Sequence, residues 1–283
     1  MDATRPDANL KLAASEKPAR YLLLGIGACL MLFPFLWMLS TAFKPDAEVL
    51  EFPPRWIPSV WQWSNFPTAW HAAPFATYFA NSFMVATVGT IGEVAVSALA
   101  AYAFASMEFF GRDVLFAVIL GSMMVPGEVL LVPNFITVSR LGWMDTYWAI
   151  VVPGLVSAFA IFFLRQGFLA IPRELYEAAE IDGCSRFRFF WQVLLPLSRP
   201  VLVTSALFKF IGEWNSFLWV LIVTNSPEHR TVAVGLQSFL TDVGASYNLL
   251  MAAAALSILP ILVLFGFVQR QFIAGIARTG LKG

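Results

Sequence analysis

"ELYEAAEIDGCSRFRFFWQVLLPLSRP", residues 174–200, carries Glu174, Glu177, Glu180, Asp182, Arg186, Arg188 and Arg199 in a chain that is 59% hydrophobic and only 13% charged. The stretch reads as two short helices joined at Gly183. Pro172 suits a helix start, where its missing N–H is no loss. Glu174 and Glu177 follow in the first turns, where the helix dipole favours negative charge. Leu175, Ala178, Ala179 and Asp182 share one face, and the two alanines leave room for a second surface to approach. Gly183 stops or turns the first helix, and Ser185 is placed to cap the second. There Phe187, Phe190, Trp191 and Leu194 follow the i, i+3, i+4, i+7 pattern of an apolar face. Pro196 and Pro200 end that helix and begin the next apolar run. The whole is an amphipathic helix-turn-helix. An interfacial helix on lipid headgroups would fit its second half. A protein-docking surface fits the acidic first half, whose carboxylates anionic headgroups repel.

The surroundings of this stretch are membrane-like. The mean hydropathy is +0.72, and the hydrophobic share exceeds the roughly 45–50% of globular chains. Six runs approach the ~20 apolar residues that a span needs: about 21–43, 78–105, 113–138, 146–170, 200–224 and 247–270. The first is too long for a signal-peptide core and lacks a small-x-small cleavage site, so it is expected to be a retained span. Arg5, Lys11, Lys17, Arg20, Arg112, Arg165, Arg173, Arg186, Arg188, Arg199, Arg270, Arg278 and Lys282 fall on one side of these spans. Only Lys44, Arg55, Arg140 and Arg230 fall on the other, which places both termini and the charged loop in the cytosol. The fold class expected is all-α: a polytopic membrane protein of six transmembrane helices. A cytosolic segment 1–20 precedes the first helix, 21–43. A Trp- and Pro-rich external loop, 44–77, follows it, its indoles suited to the interface or to a packed cap. A core 78–283 holds the charged loop 172–200 and a short cytosolic tail.

Several functions are disfavoured. A formal net charge of zero gives nucleic-acid binding no electrostatic support. Cys29 and Cys184 fall on a span and a cytosolic loop, so no disulfide is expected. His71 and His229 are far apart, so no metal site is expected. No paired His, Asp-Asp or Ser-Lys set at helical spacing suggests catalysis. No Gly-Lys dipeptide is present, hence no P-loop, and the chain cannot hydrolyse nucleotide by that route.

Charges inside apolar spans usually face a bundle interior or water. Lys209 lies about 14 Å along a helix from Pro200, near the midplane, and Glu213 follows one turn on. The two form either a helix-internal ion pair or, with Asn215, polar lining of a solute path. Lys209 would also suit a phosphate. Glu128, between Pro126 and Pro133, marks a broken helix that borders a cavity or lies near the outer surface. Glu93 stands in a Gly- and Ala-rich stretch suited to close helix packing.

"EAAEIDGCSRFRFFWQVLLP" resembles the EAA loop of the permease subunits of binding-protein-dependent ABC importers. Glu177, Ala178, Ala179, Gly183, Val193, Leu195 and Pro196 stand in register with that pattern, with Cys184 where a common variant has alanine. "FIGEWNSFLWVLIV" (210–223) and "RQFIAGIARTGLKG" (270–283) are similar to the fifth span and C-terminal end of carbohydrate-type permeases, on the side of the smaller permease of maltose-type transporters and of glycerol-phosphate permeases. The resemblance covers roughly residues 78–283. It implies a type I importer permease in a bacterial inner membrane, half of a path for a sugar or related polar solute, and not an enzyme. It implies that Glu177, Ala178, Ala179, Asp182, Gly183, Val193, Leu195 and Pro196 form a coupling element seated in a cytosolic ATPase dimer that carries ATP and magnesium. Glu177 would face a basic residue of that ATPase, and Lys282 would lie near the same interface. A second permease, an extracytoplasmic solute-binding protein and membrane lipid would complete the partners, with no cofactor on this chain. The loop 225–248 is either a connector or a contact for the binding protein. An alternative from the residues alone is a self-sufficient transporter driven by protons or sodium through Glu93, Glu128 and Glu213; it would need no docking loop.

Overall fold

A computed structural model describes residues 6–241 and 244–280. Helices follow one another as α1 Pro6–Ala42, α2 Asp46–Val49, α3 Asn65–His71, α4 Phe75–Ser106, α5 Arg112–Ser122, α6 Leu131–Arg140, α7 Tyr147–Val151, α8 Ala158–Leu169, α9 Arg173–Ile181, α10 Arg186–Phe189, α11 Leu195–Leu197, α12 Arg199–Trp214, α13 Leu218–Val223, α14 Val232–Gly235 and α15 Tyr247–Gly280. One short antiparallel pairing, Leu240 with Ala245 and Thr241 with Gly244, is the β-structure among the described residues.

Arg20–Ala42 within α1, the whole of α4, and Tyr247–Gln269 within α15 are each long and apolar enough to cross a membrane. Three bent pairs of helices pass the same test of length and composition together, for up to six in all: Arg112–Ser122 with Gly127–Arg140, Tyr147–Gly154 with Ala158–Leu169, and Arg186–Leu197 with Arg199–Trp214, bent by 91°, 46° and 79°. Six spans fit by length and composition, but they are not straight, and the third bent pair begins inside the charged loop instead of at residue 200. The run expected at 200–224 breaks between α12 and α13, where Asn215 caps α12 and its amide donates to the Ile211 carbonyl at 2.9 Å. Carbonyls freed at a helix end inside an apolar layer need such a partner.

Two compact units divide the chain: Met1–Ala69 with Phe239–Leu256, and Trp70–Ser238 with Ser257–Gly283. In the first, the apolar surface of Arg20–Ala42 is left uncovered by the chain itself. The Trp-rich segment packs where this helix ends. Trp61 and Trp63 flank Phe43 at 5.1 and 4.7 Å, and Trp56 lies against Trp37 at 5.2 Å. Asn65 donates to the carbonyls of Ala42 and Lys44, both at 2.9 Å, closing the helix end. Lys44 is buried with its ammonium 4.2 Å from the Trp37 ring centre. Burial pushes its pKa down, with Glu48 acting the other way.

In the second unit α4 is the central post, packed on both α8 and α12. Small residues permit the approach: a Cβ on Gly92 would sit 2.5 Å from Leu155, and one on Gly167 would sit 2.6 Å from Val201. Two apolar cores gather near the ends of α4. One is built on Val85, Ile150, Val220 and Val223, the other on Ala98, Tyr102, Leu164, Phe168 and Phe190.

Candidate functional site

The charged stretch folds as an elbow on the second of these cores. Helix α9 ends as the sequence predicts, at Gly183 in the left-handed region (φ 72°). The Cys184 N–H reaches the Ala179 carbonyl at 2.9 Å and the Gly183 N–H reaches Glu180 at 3.1 Å. This pair of bonds satisfies the last carbonyls and needs a residue that tolerates positive φ. The Ser185 hydroxyl then accepts from the Arg188 N–H, capping α10.

Beyond the cap the structure departs from the expected apolar stripe. Phe190–Leu194 is a π-helical turn. Its wider spacing rotates the inward face, so Phe189, Phe190 and Leu194 are buried while Phe187 and Trp191 are 66% and 55% exposed. The expected set Phe187, Phe190, Trp191 and Leu194 is therefore split. Pro196 does not end the helix either: α11 carries the helical run to Leu197, and the bend falls at Ser198. The anchor of the elbow is Phe189, edge-on to Tyr176 at 5.2 Å, with Phe190 against Tyr102 at 5.1 Å. The Tyr102 hydroxyl donates to the Arg186 carbonyl at 3.0 Å. Burying each such ring contributes about 1.5–3 kcal/mol.

The two alanines also part company. Ala179 packs into the core with Val193 and Leu195, whereas Ala178 is exposed. The outward face of the elbow is Glu174, Glu177, Ala178, Glu180, Ile181 and Asp182, with Ile181 86% exposed. Among the described residues Glu177 pairs only with Arg173 of its own helix, at 3.4 Å, with both side chains mostly exposed. The result is an acidic, partly apolar knob on a rigid base.

Within the membrane-spanning part the structure gathers a second charge site. Lys209 Nζ lies 2.7 Å from Glu213 Oε1, 3.0 Å from Glu93 Oε2, and donates to the Gly154 carbonyl at 2.6 Å. The pair expected within α12 is thus a four-membered cluster spanning α4, α12 and the turn after α7. All three side chains keep about a tenth of their surface exposed. A Cβ at Gly154 would fall 2.9 Å from the ammonium and 3.1 Å from Glu213 Oε1, so a side chain here would press on the ion pair. Thr90 and Ser97, one turn to either side of Glu93, keep buried hydroxyls without a protein partner. Two cavities of about 260 and 240 Å³ border the cluster and share Glu213 and Ser216 as lining.

The other proposed path residues do not join it. Asn215 is spent on its own helix end. Glu128 sits exposed in the short turn Gly127–Leu130 and lines neither cavity. Glu93 is both the packing residue the Gly/Ala stretch suggested and an ion-pair partner. Its link to Lys209, 116 residues away, has no local sequence signal. Lys282 lies outside the described residues.

At the other end of α4, loop 224–232 is latched by polar groups. Asp145, at φ 58°, accepts from the backbone N–H of Asn225 and Ser226 at 2.9 and 3.0 Å, with His229 Nδ1 at 3.6 Å. Burial works against its charge, but these N–H donors and His229 outweigh it and hold Asp145 below its ordinary value. Asn81 donates to the carbonyls of Glu228 and Arg230 and accepts from Tyr147. His229 is thus part of a latch. Cys29 and Cys184 are free, and among the described residues no three His, Cys, Asp or Glu side chains gather as metal ligands.

The model of the binding-protein-dependent transport system inner membrane component family matches residues 93–278, a stretch that holds both the elbow and the buried cluster. The chain belongs to that family. It is an inner-membrane permease subunit, a transport component. It is 36% identical over 259 residues to the arabinooligosaccharides transport system permease protein of Halalkalibacterium halodurans, across 90% of this chain and 93% of that one. It is 35% identical over 264 residues to the sn-glycerol-3-phosphate transport system permease protein of Yersinia enterocolitica, across 90% and 94%. In fold it matches a chain of the crystal structure of a bacterial ABC transporter that imports the acidic polysaccharide alginate. The TM-score is 0.79 at 24% identity, covering 96% of this permease and 99% of that chain.

Proposed function

We propose that this permease forms half of the translocation path of an ATP-driven importer for a sugar or related polar solute, and that it takes its drive from a separate ATPase through residues 174–200. The observation that carries the proposal is the elbow. Its aromatic underside is buried in the permease, while Glu174, Glu177, Glu180 and Asp182 stand outward, with Arg173 the one ion-pair partner among the described residues. A knob so anchored transmits a push instead of bending under it. ATP and magnesium then belong to an ATPase dimer. A second permease closes the path, a solute-binding protein delivers the cargo, and lipid covers α1. The charge distribution of the loops supports cytosolic termini and a cytosolic elbow. Lys209, Glu213 and the cavities around them form the polar lining in this half; Glu128 and Asn215 are peripheral to it. Relatives named for arabinooligosaccharide and glycerol phosphate transport support the solute class.

The test is co-purification of the tagged chain from its native host in mild detergent, with ATPase activity assayed for wild type and Glu177→Arg. Wild type should retain a second permease and an ATPase, and the variant should lose the ATPase. Wild type emerging alone would sink the reading.

A further inference from the structure

The buried cluster states which charge of solute this half of the path accepts. An ammonium has three N–H donors. Those of Lys209 are all engaged, by Glu93, Glu213 and the Gly154 carbonyl. None is left to meet a phosphate or carboxylate of a solute, which overturns the expectation that Lys209 would suit a phosphate. Two carboxylates against one ammonium leave the cluster formally at −1. The wider cavity beside it adds the hydroxyls of Ser157, Ser205 and Ser216 and the rings of Phe159 and Phe208, but no second cation. Phe159 stacks on Phe163 at 5.8 Å, and with Phe208 it gives the cavity its aromatic lining.

We propose that this half of the path selects neutral polyhydroxylated solutes and repels anionic ones. The proposal rests on the importer reading and sharpens it. Carboxylate oxygens and serine hydroxyls accept and donate hydrogen bonds to sugar hydroxyls, and phenylalanine faces cover the C–H side of a sugar ring. A phosphorylated or acidic solute meets a net negative charge in a region of low dielectric with no lining cation free to pair with it, which is selection by repulsion. Two permeases similar to this one are named for solutes on opposite sides of that divide, one for neutral oligosaccharides and one for a phosphate ester. The charge bookkeeping at Lys209 places this chain with the neutral group.

The test reads the charge of the cavity without needing the solute. In the complex purified from the host, Cys29→Ser and Cys184→Ser remove the native thiols and Ser216→Cys supplies one in the cavity. That thiol is reacted with trimethylammonium-ethyl and with sulfonatoethyl methanethiosulfonate, each rate divided by the same reagent's rate with free mercaptoethanol. The cationic reagent should react about tenfold faster, the effect of a unit charge at close range in a partly shielded site. Glu93→Gln or Glu213→Gln should bring the ratio towards one. A ratio near one before any glutamine substitution overturns the proposal, as does a ratio that the glutamine variants leave unchanged. Reaction with neither reagent, with or without ATP, also overturns it, because the cluster would then border no aqueous path. If the glutamine variants fail to assemble, the first ratio alone decides. A complex that retains its ATPase yet shows no charge preference defeats this inference and leaves the importer reading standing.

Discussion

The elbow and the buried cluster are the two places where this apolar chain concentrates charge, and they treat it in opposite ways. At the elbow the acids point outward, the one ion pair is solvent-exposed at 3.4 Å, and structure rests on the rings beneath. In the cluster the charges face one another at 2.7 and 3.0 Å, and the Gly154 carbonyl takes the third ammonium donor. An exposed charge costs the fold little and remains available to a partner. A buried one is tolerable only when an opposite charge and hydrogen bonds meet it on the spot. Function and stability should therefore separate by region: elbow substitutions act on coupling, cluster substitutions on the fold itself.

The largest effect tests that separation directly. Lys209→Met leaves Glu93 and Glu213 together without their cation, and breaking a buried pair from one side costs about 3–5 kcal/mol. Thermal unfolding in detergent should show a strong fall in stability, with little folded protein recovered. Glu177→Arg should leave the same melting curve in place. Equal melting temperatures for Lys209→Met and wild type would erase the distinction between the regions.

Asp145 is an intermediate case, a charge outside the spans held by backbone N–H groups in place of a counter-ion of its own. Hydrogen bonds to a charged group contribute about 1.5–3 kcal/mol, and Asp145→Ala should lose an amount in that range. Its folded pKa is lowered from an ordinary 3.8. The stabilisation is therefore complete above that ordinary value and is lost as pH falls through the folded one. The gap in melting temperature between wild type and Asp145→Ala should be constant at neutral pH and close only in acid below 3.8. A gap that widened in acid would show that the latch works through His229 instead.

Local chemistry was legible in the sequence, and distant chemistry was not. Gly183, Ser185 and Pro172 act through neighbours within four residues, so their roles as turn, cap and helix start follow from residue type and spacing. The aromatic stripe was misjudged because i, i+3, i+4 spacing assumes an unbroken α-helix, and the π turn at Phe190–Leu194 shifts every inward position. Nothing in the local pattern sets that shift; it follows from seating Phe189 and Phe190 together under Tyr176 and Tyr102. Glu93 pairs with a residue on another helix, and a single sequence holds no record of that contact. Gly183→Val probes the legible part. A β-branched residue at φ 72° costs about 1–2 kcal/mol and redirects α10. ATPase retention should fall before the melting temperature of the spans does. Unchanged retention would mean that the elbow angle plays no part in coupling.

The smallest effect is the sharpest probe of the contrast. Arg173 and Glu177 are an i, i+4 pair, with 82% and 59% of their side chains exposed. Pairs of this kind contribute about 0.5 kcal/mol at most. Arg173→Ala should leave the melting temperature within error, unlike any substitution at Lys209. Yet it removes the cation paired with Glu177 and makes the knob more acidic. If a basic cleft of the ATPase receives the knob, the variant should hold its ATPase at least as well as wild type, and salt should weaken both complexes. A weaker hold at low salt would show that Arg173 itself makes the contact, and the docking face would have to be redrawn around a cation.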